Sequence, residues 1–127
     1  MIYETLATEL ESRILTITLN RPEAMNSFTT EMAGELVDVF NSASEDDGVG
    51  CIIVTGAGKA FCAGMDLSIE GNVFGLDESI RPNLDEIRDR YNDEDMVAGV
   101  RDTGGRVSLA IFECKKPVIG AINGAAV

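Results

Sequence analysis

The chain has 127 residues, enough for one domain and too few for two. Ten lysine and arginine residues stand against 22 aspartate and glutamate residues, which gives a formal net charge of −12. This balance argues against partners that need a basic face, namely nucleic acids and anionic membranes. Histidine is absent, which excludes a Ser-His or Cys-His nucleophile and a His-ligated zinc site within these residues, and we expect no metal site.

The cysteines and the apolar runs bear on the cellular compartment. Cys51, Cys62 and Cys114 are odd in number and lack paired spacing, which argues against a disulfide framework. The longest apolar stretches, such as residues 117–122, are too short to span a membrane. The amino terminus has neither the basic start nor the apolar run of a signal peptide. We therefore expect a cytoplasmic protein with free thiols.

The first 43 residues predict a β-hairpin followed by a helix. Apolar residues alternate with threonine between positions 13 and 19, which is the period of a half-buried strand. Residues 3–9 are a second candidate strand, with a break at residues 10–12. Thr29 is a good N-cap for a helix over residues 29–43, whose apolar positions form one stripe.

The rest of the chain continues in an α/β order. The apolar, β-branched run at residues 51–55 is typical of a strand covered on both faces, which favours an α/β layout. A short helix over residues 83–91 and a helix over residues 106–114 follow. Residues 117–122 are predicted to form another buried strand.

The segment from residue 68 to residue 105 is acidic, with ten aspartate and glutamate residues against four arginines. Its carboxylates at Asp85, Glu86 and Asp89 are candidates for a metal or acid–base cluster. A solvated helix face is the ordinary meaning of such a run, and we prefer that interpretation.

The glycines at residues 56–59 invite comparison with a phosphate-binding loop. That motif needs a glycine where this chain has Ile53, and a serine or threonine after Lys59, where none follows. The glycine fingerprint of a dinucleotide-binding fold is missing as well. A nucleotide-binding module is therefore the weakest of the functional hypotheses.

Three stretches resemble the crotonase superfamily, which contains the enoyl-CoA hydratases and isomerases. Residues 19–27, with the sequence LNRPEAMNS, are similar to the family's motif between a strand and its first helix. Residues 61–67, FCAGMDL, are close to its Phe-x-Ala-Gly-x-Asp-hydrophobic loop. Residues 116–124, KPVIGAING, are similar to the segment that leads into its active-site helix. The three occur in the family's order, and the similarity runs from about residue 3 to residue 127.

The resemblance implies a ββα spiral core and an enzyme that binds an acyl-CoA thioester. Two backbone N–H groups would polarise the thioester oxygen as it becomes an enolate, a role suited to fixed dipoles in a dry pocket. Coenzyme A would arrive as part of the substrate, so no separate cofactor is implied. The full-length protein is expected to be a homo-oligomer, a trimer or hexamer.

Site residues follow from the same motifs. The N–H of Met65 would be the first oxyanion donor, and Gly64 would let the backbone approach the ligand. The carbonyl of Ala63 would face the adenine, and Ala24 would lie along the coenzyme A path. The acyl entrance would be lined by Asp66, Leu67 and Ser68. Asp66 is also a candidate for a structural role, because aspartates at turns commonly bond local N–H groups.

The resemblance places the second donor and the usual catalytic glutamates beyond Val127. We therefore expect residues 1–127 to be the amino-terminal portion of one crotonase-like domain, truncated before the active-site helix and inactive alone. Its segment 68–105 would cover the acyl pocket. No catalytic side chain is assigned within this chain, and the reaction type stays open. The alternative is a non-catalytic fragment or pseudoenzyme that binds coenzyme A or assists subunit assembly.

Overall fold

The computed structural model describes residues 2–127 and contains six strands and four α-helices in these residues. The strands are β1 (Leu6–Glu11), β2 (Ile14–Leu19), β3 (Cys51–Gly56), β4 (Ala60–Cys62), β5 (Val118–Gly120) and β6 (Ala125–Ala126). The helices are α1 (Thr30–Glu45), α2 (Leu84–Asp89), α3 (Glu94–Gly99) and α4 (Thr103–Glu113), and a 3-10 turn spans Pro22–Ala24.

The larger sheet has the strand order β1-β2-β3-β5. β1 and β2 form the predicted antiparallel hairpin, whereas β2 with β3 and β3 with β5 run parallel. Parallel neighbours need a crossover, and α1 supplies it between β2 and β3. A second, two-stranded parallel sheet joins β4 to β6, which brings residues 125–127 beside the loop that follows β4. The fold is thus a mixed α/β arrangement.

The core lies between one face of the larger sheet and the helices α1 and α4. Thr29 caps α1 as predicted, because its side chain accepts a hydrogen bond from the N–H of Met32 at 3.1 Å. Phe40 of α1 and Ile17 and Ile52 of the sheet are almost completely buried. The predicted apolar stripe of α1 is therefore the face that covers the sheet.

Several predicted boundaries need correction. The break at residues 10–12 is wrong, because β1 continues to Glu11 and the turn is made by Ser12 and Arg13, both with positive φ. Helix α3 was not predicted. Helix α4 begins at Thr103 instead of residue 106, since the Asp102 side chain caps its first turn and offsets the two glycines that follow Thr103.

The prediction of a buried strand at residues 117–122 is wrong in length and in burial. β5 contains three residues and lies at the edge of the sheet, and Ile119 and Ile122 are 52% and 57% exposed. Alternate residues of a strand face opposite sides of the sheet, so Ile119 lies on the side away from α1 and α4. Within residues 2–127, β5 pairs with β3 alone.

The acidic segment is built from short helices joined by turns. Its carboxylates at Asp85, Glu86 and Asp89 are exposed on α2, as the solvated-face interpretation predicted. Met96 of α3 is 1% exposed, so the segment has a buried apolar side chain of its own. Within residues 2–127, no helix combines the length and apolar character needed to cross a bilayer.

Candidate functional site

The loop after β4 is hydrogen-bonded to the segment before α1 like a short added strand. Phe28 and Met65 form a parallel β-bridge. The N–H of Phe28 donates to the carbonyl of Gly64 at 2.7 Å, and the N–H of Asp66 donates to the carbonyl of Phe28 at 2.9 Å. One residue earlier, the N–H of Ala63 donates to the carbonyl of Met25 at 3.1 Å. The backbone of residues 63–66 is therefore fixed along its length.

This pairing leaves the N–H of Met65 free. In a parallel bridge the groups on either side of a residue bond the partner strand, while its own N–H points away from that strand. Within residues 2–127, the N–H of Met65 makes no hydrogen bond to a protein acceptor. A donor that is rigidly held and unpaired is available to an oxygen atom of a ligand.

Gly64 makes the turn that presents this donor. Its φ is +92°, a conformation that residues with a Cβ atom rarely adopt. A Cβ atom built there would meet the side chain of Val127 at 3.5 Å, an ordinary contact. Glycine at this position is thus explained by backbone conformation more than by lack of space.

The buried side-chain amide of Asn26 supports the loop through hydrogen bonds. Asn26 is 0% exposed, and its side-chain N–H groups donate to the carbonyls of Ala57 and Ala60 at 2.8 and 2.9 Å. Its side-chain oxygen accepts from the N–H of Arg21 at 2.8 Å. One side chain thereby joins the 3-10 turn to both ends of the β3–β4 connection.

An ion pair links the same 3-10 turn to the loop. The guanidinium of Arg21 bonds Asp66 Oδ2 at 2.9 Å, and the two side chains are 22% and 10% exposed. The other arm of the guanidinium donates to the carbonyl and the hydroxyl of Ser27 at 2.6 and 3.1 Å. The hydroxyl of Ser27 in turn lies 3.3 Å from Asp66 Oδ2.

The second carboxylate oxygen of Asp66 closes a local turn. Asp66 Oδ1 accepts from the N–H and the hydroxyl of Ser68, at 3.0 and 2.6 Å. These bonds, together with those from Arg21 and Ser27, hold the pKa of Asp66 far below its usual range. The predicted pairing of Asp66 with backbone at the turn is confirmed, and both of its oxygens are engaged by protein donors.

A cavity of about 350 Å³ opens beside the free donor. Its lining is mostly apolar and comes from β4 and the loop after it, the segment before α1, the acidic segment, α4 and the last residue. The residues are Phe28, Cys62, Gly64, Met65, Phe74, Asp102, Gly104, Val107, Ser108 and Val127. Of the residues singled out in the sequence, Gly64 and Met65 lie on the cavity. Ala24, Ala63, Asp66, Leu67 and Ser68 lie along the loop network or on the surface and are not part of the lining.

The cavity can accept an apolar group and offer a hydrogen bond to a carbonyl next to it. Cys62 is half-buried on its wall, not fully buried as a core thiol would be. The carboxylate of Asp102 is engaged with the N–H of Gly105. Within the described part of the chain, no group of three or more potential ligands is arranged to hold a metal ion.

Sequence reasoning missed the roles of Asn26, Arg21 and Phe74. The backbone of Asn26 has a φ of +55°, and a polar residue before a helix carries no local signal of complete burial. Arg21 and Asp66 are 45 residues apart, so their pairing depends on the fold. Phe74 reaches the cavity because the hydroxyl of Thr103 holds its carbonyl at 2.6 Å.

Known proteins with similar sequences are acyl-CoA enzymes. The chain is 39% identical to an enoyl-CoA hydratase of Alternaria alternata over 114 residues, which cover 90% of this chain and 32% of the relative. It is 34% identical to a probable enoyl-CoA hydratase of Mycobacterium tuberculosis over 125 residues, covering 98% of this chain and 41% of the relative. It is 32% identical to the 1,2-epoxyphenylacetyl-CoA isomerase of Escherichia coli, covering 97% and 41%. The chain thus spans between a third and about two fifths of these relatives' length.

Solved structures of enoyl-CoA hydratases and isomerases have a similar fold. An enoyl-CoA hydratase/isomerase of Xanthobacter autotrophicus superposes with a TM-score of 0.69 at 29% identity, covering 97% of this chain and 40% of that chain. An enoyl-CoA hydratase of Mycobacterium smegmatis superposes with a TM-score of 0.65 at 28% identity, covering 94% and 40%. The observed α/β arrangement is therefore part of the crotonase fold, as the sequence motifs implied.

The family model for enoyl-CoA hydratase/isomerase matches residues 9–98, which is more than half of the chain. This match includes the 3-10 turn, the free donor of Met65, its supporting network and most of the acidic segment. The chain belongs to the enoyl-CoA hydratase/isomerase family of the crotonase superfamily.

Proposed function

We propose that this protein acts on acyl-CoA thioesters as an enzyme of the enoyl-CoA hydratase/isomerase type. The observation that carries the proposal is the unpaired N–H of Met65, held in place by hydrogen bonds of the residues on either side. A thioester oxygen that gains negative charge is stabilised by such a donor. Loss of one oxyanion donor typically costs about 2.7–4 kcal/mol of transition-state stabilisation.

The other loop residues have contact roles in this proposal. The thioester group lies against Gly64 and Met65, with the carbonyl of Ala63 toward the adenine and Ala24 along the coenzyme A path. Leu67 is 79% exposed, which suits a residue at the entrance to the acyl site. Asp66 and Ser68 shape the same entrance through their hydrogen-bonded turn.

The acyl chain occupies the cavity beside the donor. The proposal that segment 68–105 covers this pocket is supported by Phe74, Asp102 and Gly104, which lie on its wall. Met65 also lines the cavity, so the resemblance implies a narrower acyl site than in relatives with a smaller residue at that position. Coenzyme A enters with the substrate, and no separate cofactor is required.

For the whole protein we propose cytoplasmic location, homo-oligomeric assembly as a trimer or hexamer, and no nucleic-acid or membrane partner. The net charge of −12 supports the exclusion of nucleic acid, because non-specific binding depends on cationic contacts with phosphates. Sedimentation of the protein with and without duplex DNA checks both the assembly and this exclusion.

Titration of ¹⁵N-labelled protein with crotonyl-CoA tests the donor role directly. The amide resonance of Met65 should move downfield with the thioester and stay in place with free coenzyme A. Met65→Ala keeps the N–H and should bind crotonyl-CoA with similar affinity, whereas Met65→Pro removes the N–H and should lose the preference for the thioester. If neither crotonyl-CoA nor free coenzyme A moved the Met65 amide resonance of the wild-type protein, the proposal would be contradicted.

A second candidate is a non-catalytic role in coenzyme A binding or subunit assembly. It is favoured by the exposed apolar side chains of Ile119 and Ile122 among residues 2–127. Exposed apolar surface of this kind is typical of contact regions. Binding of crotonyl-CoA with no turnover by the purified full-length protein would favour this candidate over the enzyme.

A further inference from the structure

Arg21 makes contacts that a surface arginine does not need. Its guanidinium reaches Asp66 Oδ2 at 2.9 Å and the carbonyl of Ser27 at 2.6 Å, and its backbone N–H bonds the side chain of Asn26. A guanidinium is planar and its donors have fixed directions, so the bonds of its two arms to Asp66 and Ser27 define its orientation. The 3-10 turn, the segment before α1 and the loop after β4 are thereby locked to one another.

The partner of Arg21 is the residue that directly follows the proposed oxyanion donor. The peptide of Met65 is held on one side by the carbonyl of Gly64 and on the other side by Asp66. Asp66 is fixed by its own N–H and by both carboxylate oxygens. Small displacements of catalytic groups reduce rates strongly, so the anchoring of Asp66 bears directly on the donor.

The Arg21–Asp66 pair also affects the electrostatic potential near the Met65 donor. Asp66 is ionised, and a carboxylate one residue from the donor repels negative charge that develops on a ligand oxygen. In a site with a low effective dielectric constant such repulsion reaches further than in water. The positive charge of Arg21 lies against the same carboxylate and therefore opposes its field at the donor.

We propose that Arg21 is a positioning residue for the Met65 donor, which it aligns and frees from the charge of Asp66 by holding the Asp66 carboxylate. This inference rests on the proposed function, because it concerns how the same site stabilises an enolate. It predicts an effect on enolate stabilisation that exceeds the effect on binding of the coenzyme A moiety.

The test uses acetoacetyl-CoA, a β-ketoacyl thioester whose enolate absorbs in the near ultraviolet. The absorbance of the bound ligand is followed against pH to obtain its apparent pKa, and the affinity for free coenzyme A is measured separately. Arg21→Gln should raise the apparent pKa of the bound ligand by about one unit, a tenfold loss of enolate stabilisation. Its Kd for free coenzyme A should change less than about twofold, within the range of surface substitutions.

Arg21→Gln/Asp66→Asn separates the two actions of the arginine. This double variant removes the carboxylate charge together with its partner, so its ligand pKa should fall between those of the wild type and Arg21→Gln. The control is Lys115→Gln, which breaks an exposed pair with Glu45, 65% and 69% exposed. Glu45 ends α1, whereas the loop pairs with the segment before α1. This control should leave the ligand pKa unchanged.

The outcomes distinguish the inference from the proposed function. A wild-type protein that leaves the pKa of acetoacetyl-CoA at its free value contradicts the proposed function, and the inference falls with it. If the wild type shifts the ligand pKa and Arg21→Gln preserves that shift, the inference alone is overturned. The inference is also overturned if the ligand pKa of the double variant does not fall between those of the wild type and Arg21→Gln. If Arg21→Gln does not fold, Arg21→Lys can be used instead. Lysine keeps the positive charge but lacks the planar guanidinium with its two arms, so it should raise the ligand pKa by a smaller amount. An unchanged pKa in a folded Arg21→Lys variant would likewise overturn the inference.

Discussion

The chain makes the same local turn in two regions that differ in burial. Asp66 Oδ1 accepts from the N–H and the hydroxyl of Ser68 at 3.0 and 2.6 Å, and Asp77 Oδ1 accepts from the same groups of Ser79 at the same distances. In both turns these bonds lower the pKa of the aspartate. Asp66 is buried and also bonds Arg21, whereas Asp77 is exposed and has no ion-pair partner among residues 2–127.

The difference shows what an Asp-x-Ser sequence determines and what it leaves open. The turn is local, because the aspartate bonds groups two residues ahead in both places. The second carboxylate oxygen of Asp66 is engaged by residues distant in sequence, and these contacts convert a common turn into an anchor for a functional loop. In the acidic segment the same turn remains a surface feature.

Ion pairs differ between the two regions in the same way. Arg21 and Asp66 are largely shielded from solvent, while Arg88 is 71% exposed and bonds Asp85 and Asp89 on the surface of α2. Exposed pairs contribute little, since water and salt screen them. Replacing Arg21 and replacing Arg88 should therefore change the free energy of unfolding by amounts that differ several-fold.

The largest effect on stability is expected from Asn26→Ala. This change leaves the carbonyls of Ala57 and Ala60 and the N–H of Arg21 without their buried partner. One of these bonds is buried and two are part-buried, and an unsatisfied buried group costs about 1–3 kcal/mol, so the free energy of unfolding should fall by about 3 kcal/mol in urea denaturation. The matched control is Asn83→Ala, which removes the exposed N-cap of α2 and should cost about 1 kcal/mol or less. Equal losses in the two variants would contradict the distinction between the regions.

A smaller loss, about 2 kcal/mol, is expected from Met96→Ala in the acidic segment. Met96 is 1% exposed, so its truncation removes buried methylene groups and leaves a cavity. This prediction sharpens the comparison, because it separates the exposed turns of the segment from its most deeply buried side chain. Chemical denaturation measures the loss, and Val97→Ala at a half-buried neighbouring position is the control. A Met96→Ala variant as stable as the wild type would contradict a stabilising role for this buried side chain.

Much of the fold could be predicted from local pattern. The alternation of β2, the cap and stripe of α1 and the short helix near residues 83–91 depend on adjacent residues, and the structure confirms them, with α2 limited to Leu84–Asp89. Position in a sheet is different, because it depends on what else packs against a strand. The run at residues 117–122 predicts a longer strand than the three residues of β5, which within residues 2–127 pairs only with β3.

The candidate site was predictable only where a motif specifies it. The sequence FCAGMDL indicates the loop of Met65 by resemblance, and the φ of Gly64 explains one of its residues. The buried amide of Asn26 and the pairing of Arg21 with Asp66 join segments more than 30 residues apart. No local pattern encodes such contacts, because they exist only after β3 and β4 have positioned the loop.

A third prediction uses pH to compare the two aspartates. The pKa of Asp66 is lowered on folding, so its stabilising contribution is complete above the unfolded value of about 3.9 and is lost as the pH falls below it. Asp66→Asn should therefore flatten the acid side of the stability profile, measured as the urea midpoint between about pH 5 and pH 2. Asp77→Asn should flatten it less, because solvent screens the exposed turn. A larger change in Asp77→Asn would reverse the assignment of the two turns.

The smallest effect is expected from Arg88→Gln on α2. Its partners Asp85 and Asp89 are exposed, so the pair gains little Coulomb energy and the free energy of unfolding should change by less than about 0.5 kcal/mol. The value should also be insensitive to the change from low to moderate salt, since little interaction remains to be screened. Arg21→Gln, measured in parallel, should lose several times more, because it leaves Asp66 charged in a buried place without its cation. If both arginine variants lost the same amount, burial would not be what separates the functional loop from the acidic segment.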